Sequence, residues 1–143
     1  MDKWQRAFAG KLESVRMHWQ ERFERIAEDE VGPVFGEMDA FTTARGFAVT
    51  SPNCDAGARL YRFGLTENAY LMLYFRLHGF EAIEAQAELV VPGANPEEFL
   101  INRTHLADVN AAWVQEQFHV ALDRFVDAFD AASRKQQAAE HAQ

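Results

Sequence analysis

The feature that most constrains this chain is the alternation of apolar and polar residues between positions 58 and 91. Side chains alternate between the two faces of a strand, so a period of two predicts strands with one buried face. Turn-forming residues interrupt the pattern at 52–57, 66–68 and 79–80. We therefore predict antiparallel strands in meander order over residues 46–51, 58–65, 69–78 and 82–91. The apolar positions are Phe47, Val49, Tyr61, Phe63, Leu65, Leu71, Leu73, Phe75, Leu77, Ile83, Ala85, Ala87, Leu89 and Val91.

The loop at residues 66–68 decides which side chains share a sheet face. An odd number of loop residues places Phe63 beside Leu71, whereas a two-residue turn at 67–68 places Tyr61 and Phe63 beside Tyr70 and Met72, because a shift of one residue reverses every side chain. We favour the odd loop because it gives one apolar face and one polar face.

Apolar residues recur every three or four positions at both ends of the chain, which is typical of amphipathic helices. The pattern predicts helices over residues 2–30 and 109–135, the first ended by Gly32 and Pro33. Residues 31–45 carry no pattern that decides their structure, although 34–35 and 41–43 could be short strand pieces. Residues 97–101 are expected to form one helical turn. The N-terminal stripe consists of Trp4, Phe8, Leu12, Val15, Trp19, Phe23 and Ile26, and the C-terminal stripe of Val114, Phe118, Ala121, Leu122, Phe125 and Phe129.

Together these patterns predict the α+β class: a long N-terminal helix, a four-stranded antiparallel meander and a long C-terminal helix, with both helices on one sheet face. Residues 1–135 are expected to form a single domain, and residues 136–143 a frayed polar tail. One core should join the elements through Phe8, Leu12, Trp19, Leu73, Phe75, Phe118, Leu122 and Phe125.

Charge and cysteine usage narrow the range of functions. The chain has 22 acidic and 14 basic residues, and nucleic-acid affinity depends on basic contacts to phosphate, so nucleic acid is an unfavoured partner. Its single cysteine cannot form an internal disulfide, which is typical of a reducing compartment. No signal-peptide pattern is present, and the longest apolar run, 69–75, is too short to span a bilayer. We therefore expect a cytoplasmic protein with no membrane partner.

The residues that carry catalysis or bind cofactors do not form recognisable motifs. The sequence contains neither GxxxxGK[ST] nor GxGxxG, and no GxSxG. Glu116 and His119 have the spacing of metal ligands on a helix, but carboxylate-bridged metal sites need two such pairs and further carboxylates. Cys54 lies in a turn-rich loop. A reactive thiol needs a basic group beside it, and nothing in the sequence requires one at this position. We expect no catalytic residue, no cofactor and no metal.

A second apolar stripe on the C-terminal helix is a candidate interface. Val109, Trp113 and Val120 lie together on the helical wheel, about 130° from the main stripe. Tryptophan is enriched at binding hot spots, so this stripe is expected to be buried against a partner, most simply a second copy in a homodimer. The alternative is that Trp113 packs beneath the neighbouring residues 92–105.

The polar face of the sheet is the other candidate. It carries Tyr70, Met72 and Tyr74, residue types enriched in protein interfaces. An ordinary solvated face is the alternative interpretation. Three residues on this face could instead contact an anion: Arg62, Arg76 and His78.

These observations favour a non-enzymatic cytoplasmic protein-binding module with an adaptor, chaperone-like or inhibitor role. One alternative is a small-ligand binder or minor enzyme, in which a pocket between sheet and helices receives an anion. Another is RNA binding, in which Tyr70, Tyr74 and Arg76 stack on bases across the sheet face.

Overall fold

The computed structural model describes residues 2–142, apart from the side chains of residues 51 and 52. Met1 and Gln143, the outer ends of the expected domain and tail, lie outside the described residues. The elements are α1 (Lys3–Ile26), a π-helical turn (Ala27–Val31), α2 (Gly32–Thr43), β1 (Ala48–Asp55), β2 (Ala58–Thr66), β3 (Ala69–His78), β4 (Ala82–Val90), β5 (Glu97–His105), a 3₁₀ turn (Leu106–Asp108) and α3 (Ala111–His141).

The sheet confirms the α+β class and the antiparallel meander. Its strand order is β1-β2-β3-β4-β5, so the described residues form five strands rather than the expected four. The expected helical turn at 97–101 is wrong, because these residues belong to β5, which pairs with β4. The first strand is also longer than expected, since β1 continues past a register irregularity between Thr50 and Asn53 as far as Asp55.

The β2–β3 hairpin has the expected register. Phe63 pairs with Leu71 and Tyr61 with Leu73, and an irregularity between Gly64 and Thr66 supplies the extra residue. The hairpin therefore places the apolar residues of both strands on one face, which we call the inner face. Its buried residues are Tyr61, Phe63, Leu71, Leu73, Phe75, Ile83, Ala85, Ala87 and Leu89.

The N-terminal helix does not end at Gly32 and Pro33, contrary to expectation. The Gly32 N–H donates to the Ala27 carbonyl, five residues back, and α2 then continues to Thr43. Pro33 lies in the first turn of α2, where a missing N–H costs no intrahelical hydrogen bond. Residues 31–43, which the sequence left undecided, are therefore helical.

The helices pack on the inner face of the sheet, as expected. Phe118 of α3 lies at the centre, with its ring centroid 5.5 Å from that of Phe75, 5.7 Å from Tyr61 and 6.0 Å from Phe63. Phe35 of α2 adds a ring stacked 4.3 Å from Tyr61. This aromatic cluster joins α2 and α3 to β2 and β3.

The last helix starts later and extends further than the pattern suggested. Asn110 is its N-cap and accepts a hydrogen bond from the Trp113 N–H at 2.8 Å. The helix continues beyond residue 135 as far as His141.

Candidate binding surfaces

The first candidate surface is the N-terminal part of α1. Every residue from 2 to 18 is exposed, and the first buried residue of the helix is Phe23. We call residues 3–18 the α1 overhang. The guanidinium of Arg16, 5.7 Å from the ring centroid of Phe80 in the β3–β4 hairpin, marks the level at which α1 reaches the end of the sheet. The overhang therefore projects from the packed part of the chain.

This exposure corrects the expected core. Phe8 is 51% exposed and Leu12 is 39% exposed, so neither belongs to it, and Trp19 is only partly buried at its edge. The other members of the expected set are buried or packed against the core.

The overhang carries a continuous apolar stripe. Trp4 is 69% exposed and Val15 is 45% exposed, and both lie on the same side of the helix as Phe8 and Leu12 at about 100° per residue. The rings of Trp4 and Phe8 stack with centroids 5.1 Å apart. The stripe exposes aromatic and aliphatic carbon to solvent along about 16 Å of helix at 1.5 Å per residue.

The overhang also differs in charge from the rest of this acidic chain. Residues 2–18 include four basic residues, Lys3, Arg6, Lys11 and Arg16, against two acidic ones, Asp2 and Glu13. Asp2 caps the helix and forms a capping box with Gln5. At about 100° per residue, Lys11 and Arg16 lie beside the stripe, whereas Lys3, Arg6 and Glu13 lie on the opposite side of the helix. The exposed apolar stripe is thus bordered by two positive charges.

The second candidate surface is the outer face of the sheet, which α1, α2 and α3 leave uncovered in the described part of the chain. It carries the six candidates Arg62, Tyr70, Met72, Tyr74, Arg76 and His78, which alternate with buried residues along β2 and β3. Cross-strand pairing brings Arg62 beside Met72. The structure therefore brings all six expected residues to one surface.

Side-chain interactions order this outer face. The guanidinium of Arg62 lies 4.4 Å from the ring centroid of Tyr70, and that of Arg76 lies 5.3 Å from the ring centroid of Tyr74. Arg76 also donates to the Gln86 Oε1 at 2.6 Å. Each arginine thus lies over a tyrosine ring, and this stacking orients the ring on the outer face of the sheet.

Glu84 organises the edge of this face. Arg103 on β5 donates hydrogen bonds to its carboxylate, and the His78 Nδ1 lies 3.4 Å from the same oxygen. The hydrogen bonds from Arg103 hold the pKa of Glu84 below its usual value. The carboxylate therefore stays ionised at neutral pH and offsets the positive charge of this edge.

The proposed stripe on α3 does not form one open surface. Val109 is 9% exposed and belongs to the core, and Trp113 packs on Phe75 with ring centroids 6.2 Å apart. Only Val120, at 41%, is largely exposed. Residues that the wheel placed together are separated because Val109 precedes the helix and sits beside the 3₁₀ turn.

The structure does not bring the three anion-contact candidates to a pocket between the sheet and the helices. The anion-contact candidates lie on the outer face, whereas the space between sheet and helices is filled by the aromatic cluster. A surface depression of about 390 Å³ lies elsewhere, beside Pro92 and Lys135.

Within residues 2–142, no group of three His, Cys, Asp or Glu side chains is placed to hold a metal ion. No helix in this range is long and apolar enough to cross a membrane.

Comparisons with protein-family models, with curated proteins and with solved structures give no significant match to this chain.

The overhang was not predicted as a candidate surface, although its apolar stripe is visible in the sequence. A usable signal was length. The predicted strands of 6 to 10 residues span about 20–33 Å at 3.3 Å per residue. The helix predicted over residues 2–30 measures about 44 Å at 1.5 Å per residue, so part of it is expected to extend past the sheet.

Proposed function

We propose that this chain is a non-enzymatic protein-binding module that acts in the cytoplasm, and that the α1 overhang is its docking element. The observation that carries the proposal is the exposed apolar stripe on a helix that projects beyond the sheet. Four apolar side chains, each more than a third exposed, form it: Trp4, Phe8, Leu12 and Val15.

The physical support is that such a stripe is unfavourable unless something covers it. Contiguous apolar surface on a monomer is characteristic of binding sites. A short helix without tertiary contacts is also marginal in water, because helical stability comes mostly from packing of the amphipathic face. A partner that covers the stripe would both remove apolar surface from water and stabilise the helix.

The spacing of the stripe suits recognition by a protein. Amphipathic helices bind apolar surfaces through anchor residues three and four positions apart, and the overhang presents its anchors with these intervals. Large aromatic anchors such as Trp4 and Phe8 supply much of the affinity in such contacts.

The outer sheet face is a second candidate contact for a protein. Its tyrosines are held by stacked arginines, and Tyr, Met and Arg are the residue types enriched in interfaces. The same stacking occupies one face of each guanidinium, and Arg76 also donates a hydrogen bond to Gln86.

The test compares two substitutions on the same helix. Phe8→Glu places a charge in the stripe, whereas Met17→Glu places one on the opposite side, nine residues or about 180° away. Phe8 and Met17 are both 51% exposed, so the two variants should fold equally well by circular dichroism.

Immobilised wild type and both variants are incubated with lysate from cells that express the protein. A captured protein is then purified and its Kd is measured against each variant. We expect wild type and Met17→Glu to bind alike and Phe8→Glu to bind at least tenfold more weakly. Equal binding by all three would overturn the overhang as the docking element.

A further inference from the structure

We propose that the overhang of one chain binds the overhang of a second copy, with the two helices antiparallel about a two-fold axis near residues 11 and 12. This inference rests on the proposed function and names the partner of the same surface. It differs from a dimer through Trp113, which packs against Phe75 within the chain.

The spacing of the stripe carries the inference. The intervals from Trp4 through Phe8, Leu12 and Val15 to Trp19 are four, four, three and four residues. Read backwards they are four, three, four and four, so the two directions differ only in where the short interval falls. Two antiparallel copies can therefore match their apolar residues along the whole stripe.

That alignment places each large side chain beside an apolar one. Trp4 of one copy faces Trp19 of the other, Phe8 faces Val15, and Leu12 meets its own counterpart near the axis. A two-fold contact uses the same patch on both chains, so it requires this kind of self-complementarity.

The structure also fixes the position of Trp19, the residue that Trp4 of the second copy would face. A surface depression of about 280 Å³ lies beside Trp19 and Arg22, with His18, Glu21 and Arg25 around it. In the antiparallel alignment, Trp4 of the second copy arrives at this level along the stripe, about 70° around the helix from the centre of the depression, so it contacts Trp19 and the depression borders that contact. The Trp19 ring is already held by His105, with centroids 6.1 Å apart in an edge-to-face arrangement, so it offers a positioned surface.

The area available suits a weak dimer. The overhang is about 24 Å long at 1.5 Å per residue. Buried aromatic side chains remove roughly 150–250 Å² each from full exposure, but Trp4 is 69% and Phe8 51% exposed, and Trp19 is already partly buried in the chain, so each supplies only part of that area. With the aliphatic neighbours and flanking stems, the total per chain stays below the roughly 800 Å² of a standard interface, which corresponds to a weak dimer.

Lys11 gives this geometry an electrostatic signature. It lies about 60° from the centre of the stripe, and a two-fold axis at residues 11 and 12 brings it next to Lys11 of the second copy. The two neighbouring positive charges repel each other, and added salt screens this repulsion. A different occupant would not place these two lysines together.

The first experiment is sedimentation of the purified chain alone at tens of micromolar. We expect a dimer for wild type and for Met17→Glu, and a monomer for Phe8→Glu, with the dissociation constant raised at least tenfold. Circular dichroism of each variant establishes that the fold is kept. A wild-type monomer, or a dimer that Phe8→Glu leaves intact, would overturn the inference.

The second experiment tests the two-fold alignment by mixing Lys11→Glu with wild type, one of them carrying a mass tag. Native mass spectrometry should show more heterodimer than the half expected from random exchange, because Lys11 then faces a glutamate. Statistical mixing would contradict an axis at this position.

These experiments distinguish failure of the overhang as docking element from failure of the second copy as its partner. If wild type is monomeric yet a different protein binds it and not Phe8→Glu, the docking element stands and the second copy does not. If wild type is monomeric and binds phosphatidylserine vesicles through Phe8, both proposals are overturned in favour of a basic amphipathic helix on an anionic bilayer.

Discussion

Arg59 on β2 and Glu24 on α1 form an ion pair that ties the helix to the sheet across 35 residues of chain. Arg59 is 8% exposed, and its guanidinium also donates to the carbonyl oxygens of Asp55 and Ala58. The Gly57 N–H donates to the Glu24 Oε1 at 3.3 Å. The carboxylate of Glu24 thus fixes α1 against the β1–β2 hairpin, just before the overhang leaves the sheet.

The first prediction concerns Glu24→Gln, which removes the charge that partners a buried guanidinium. We expect the free energy of unfolding at pH 7 to fall by about 1–2 kcal/mol, a moderate value because the Glu24 side chain is 38% exposed. Urea denaturation of both proteins measures it. An unchanged unfolding midpoint would show that the pair contributes little.

The same pair predicts a pH dependence. The hydrogen bond from Arg59 holds the pKa of Glu24 below its ordinary value of 4.5. A carboxylate whose pKa is lower in the folded state stabilises the fold above its unfolded pKa and loses this contribution as the pH falls through its folded pKa. The stability difference between wild type and Glu24→Gln should therefore be constant near neutrality and shrink below pH 4.5.

The second prediction separates the core from the overhang. Phe118→Ala should cost roughly 3–5 kcal/mol, because its ring is fully buried among four other aromatic rings. Phe8→Ala should cost less than about 1 kcal/mol in a monomeric chain, since a side chain outside the core leaves no cavity. Denaturation at low micromolar concentration tests both. Similar losses at the two positions would place Phe8 in the core.

Much of the sheet could be predicted because its inner face is apolar at every second position. The alternation in β2, β3 and β4 even selected the register, since only one pairing buries Phe63 with Leu71. β5 was missed because it is an edge strand without a buried residue, in which half-buried and exposed positions alternate along its first six residues. Glu97, Glu98, Asn102 and Arg103 then obscure the period of two.

The helices show where local signals are overridden. Gly32 and Pro33 are typical of a helix end, yet the π-helical turn shifts the hydrogen bonds by one residue and lets the helix continue. Pro33 needs no hydrogen bond at that position. Val31 and Val34 are buried in the core, and their packing outweighs the local preference to stop.

The candidate surfaces were only partly predictable for a related reason. A hydrophobic stripe shows which side of a helix is apolar, not which part of that side has something to pack on. Phe8 and Phe23 have the same place in the sequence pattern, but only Phe23 lies over the sheet. The outer-face candidates were found because strand parity alone places Tyr70, Tyr74 and Arg76 together.

The third prediction uses two glycines with different backbones. Gly57 has φ of +75° and a Cβ there would lie 3.5 Å from the Leu77 Cβ, whereas Gly36 lies in α2 with open space around it. Gly57→Ala should destabilise the chain by about 1–2 kcal/mol through backbone strain. Gly36→Ala should stabilise it by about 0.5–1 kcal/mol, because alanine is the better helix former. Thermal denaturation of the pair gives the two opposite signs.

The last prediction concerns the indole of Trp113. Its ring packs edge-to-face on Phe75, but its buried Nε1 has no hydrogen-bond partner among the described residues. An unsatisfied buried donor costs free energy, so the ring contributes packing while its N–H detracts from stability.

Three substitutions separate these contributions. Trp113→Phe keeps an aromatic contact and removes the unpaired N–H, so we expect a stability within about 1 kcal/mol of wild type. Trp113→Ala should cost roughly 3 kcal/mol, because it removes the ring that covers Phe75. Trp113→Glu should be worse still, since it places a charge against the aromatic cluster. If Trp113→Glu instead leaves the unfolding midpoint unchanged and lowers only the self-association, Trp113 is an interface residue and its contact with Phe75 contributes nothing to the fold.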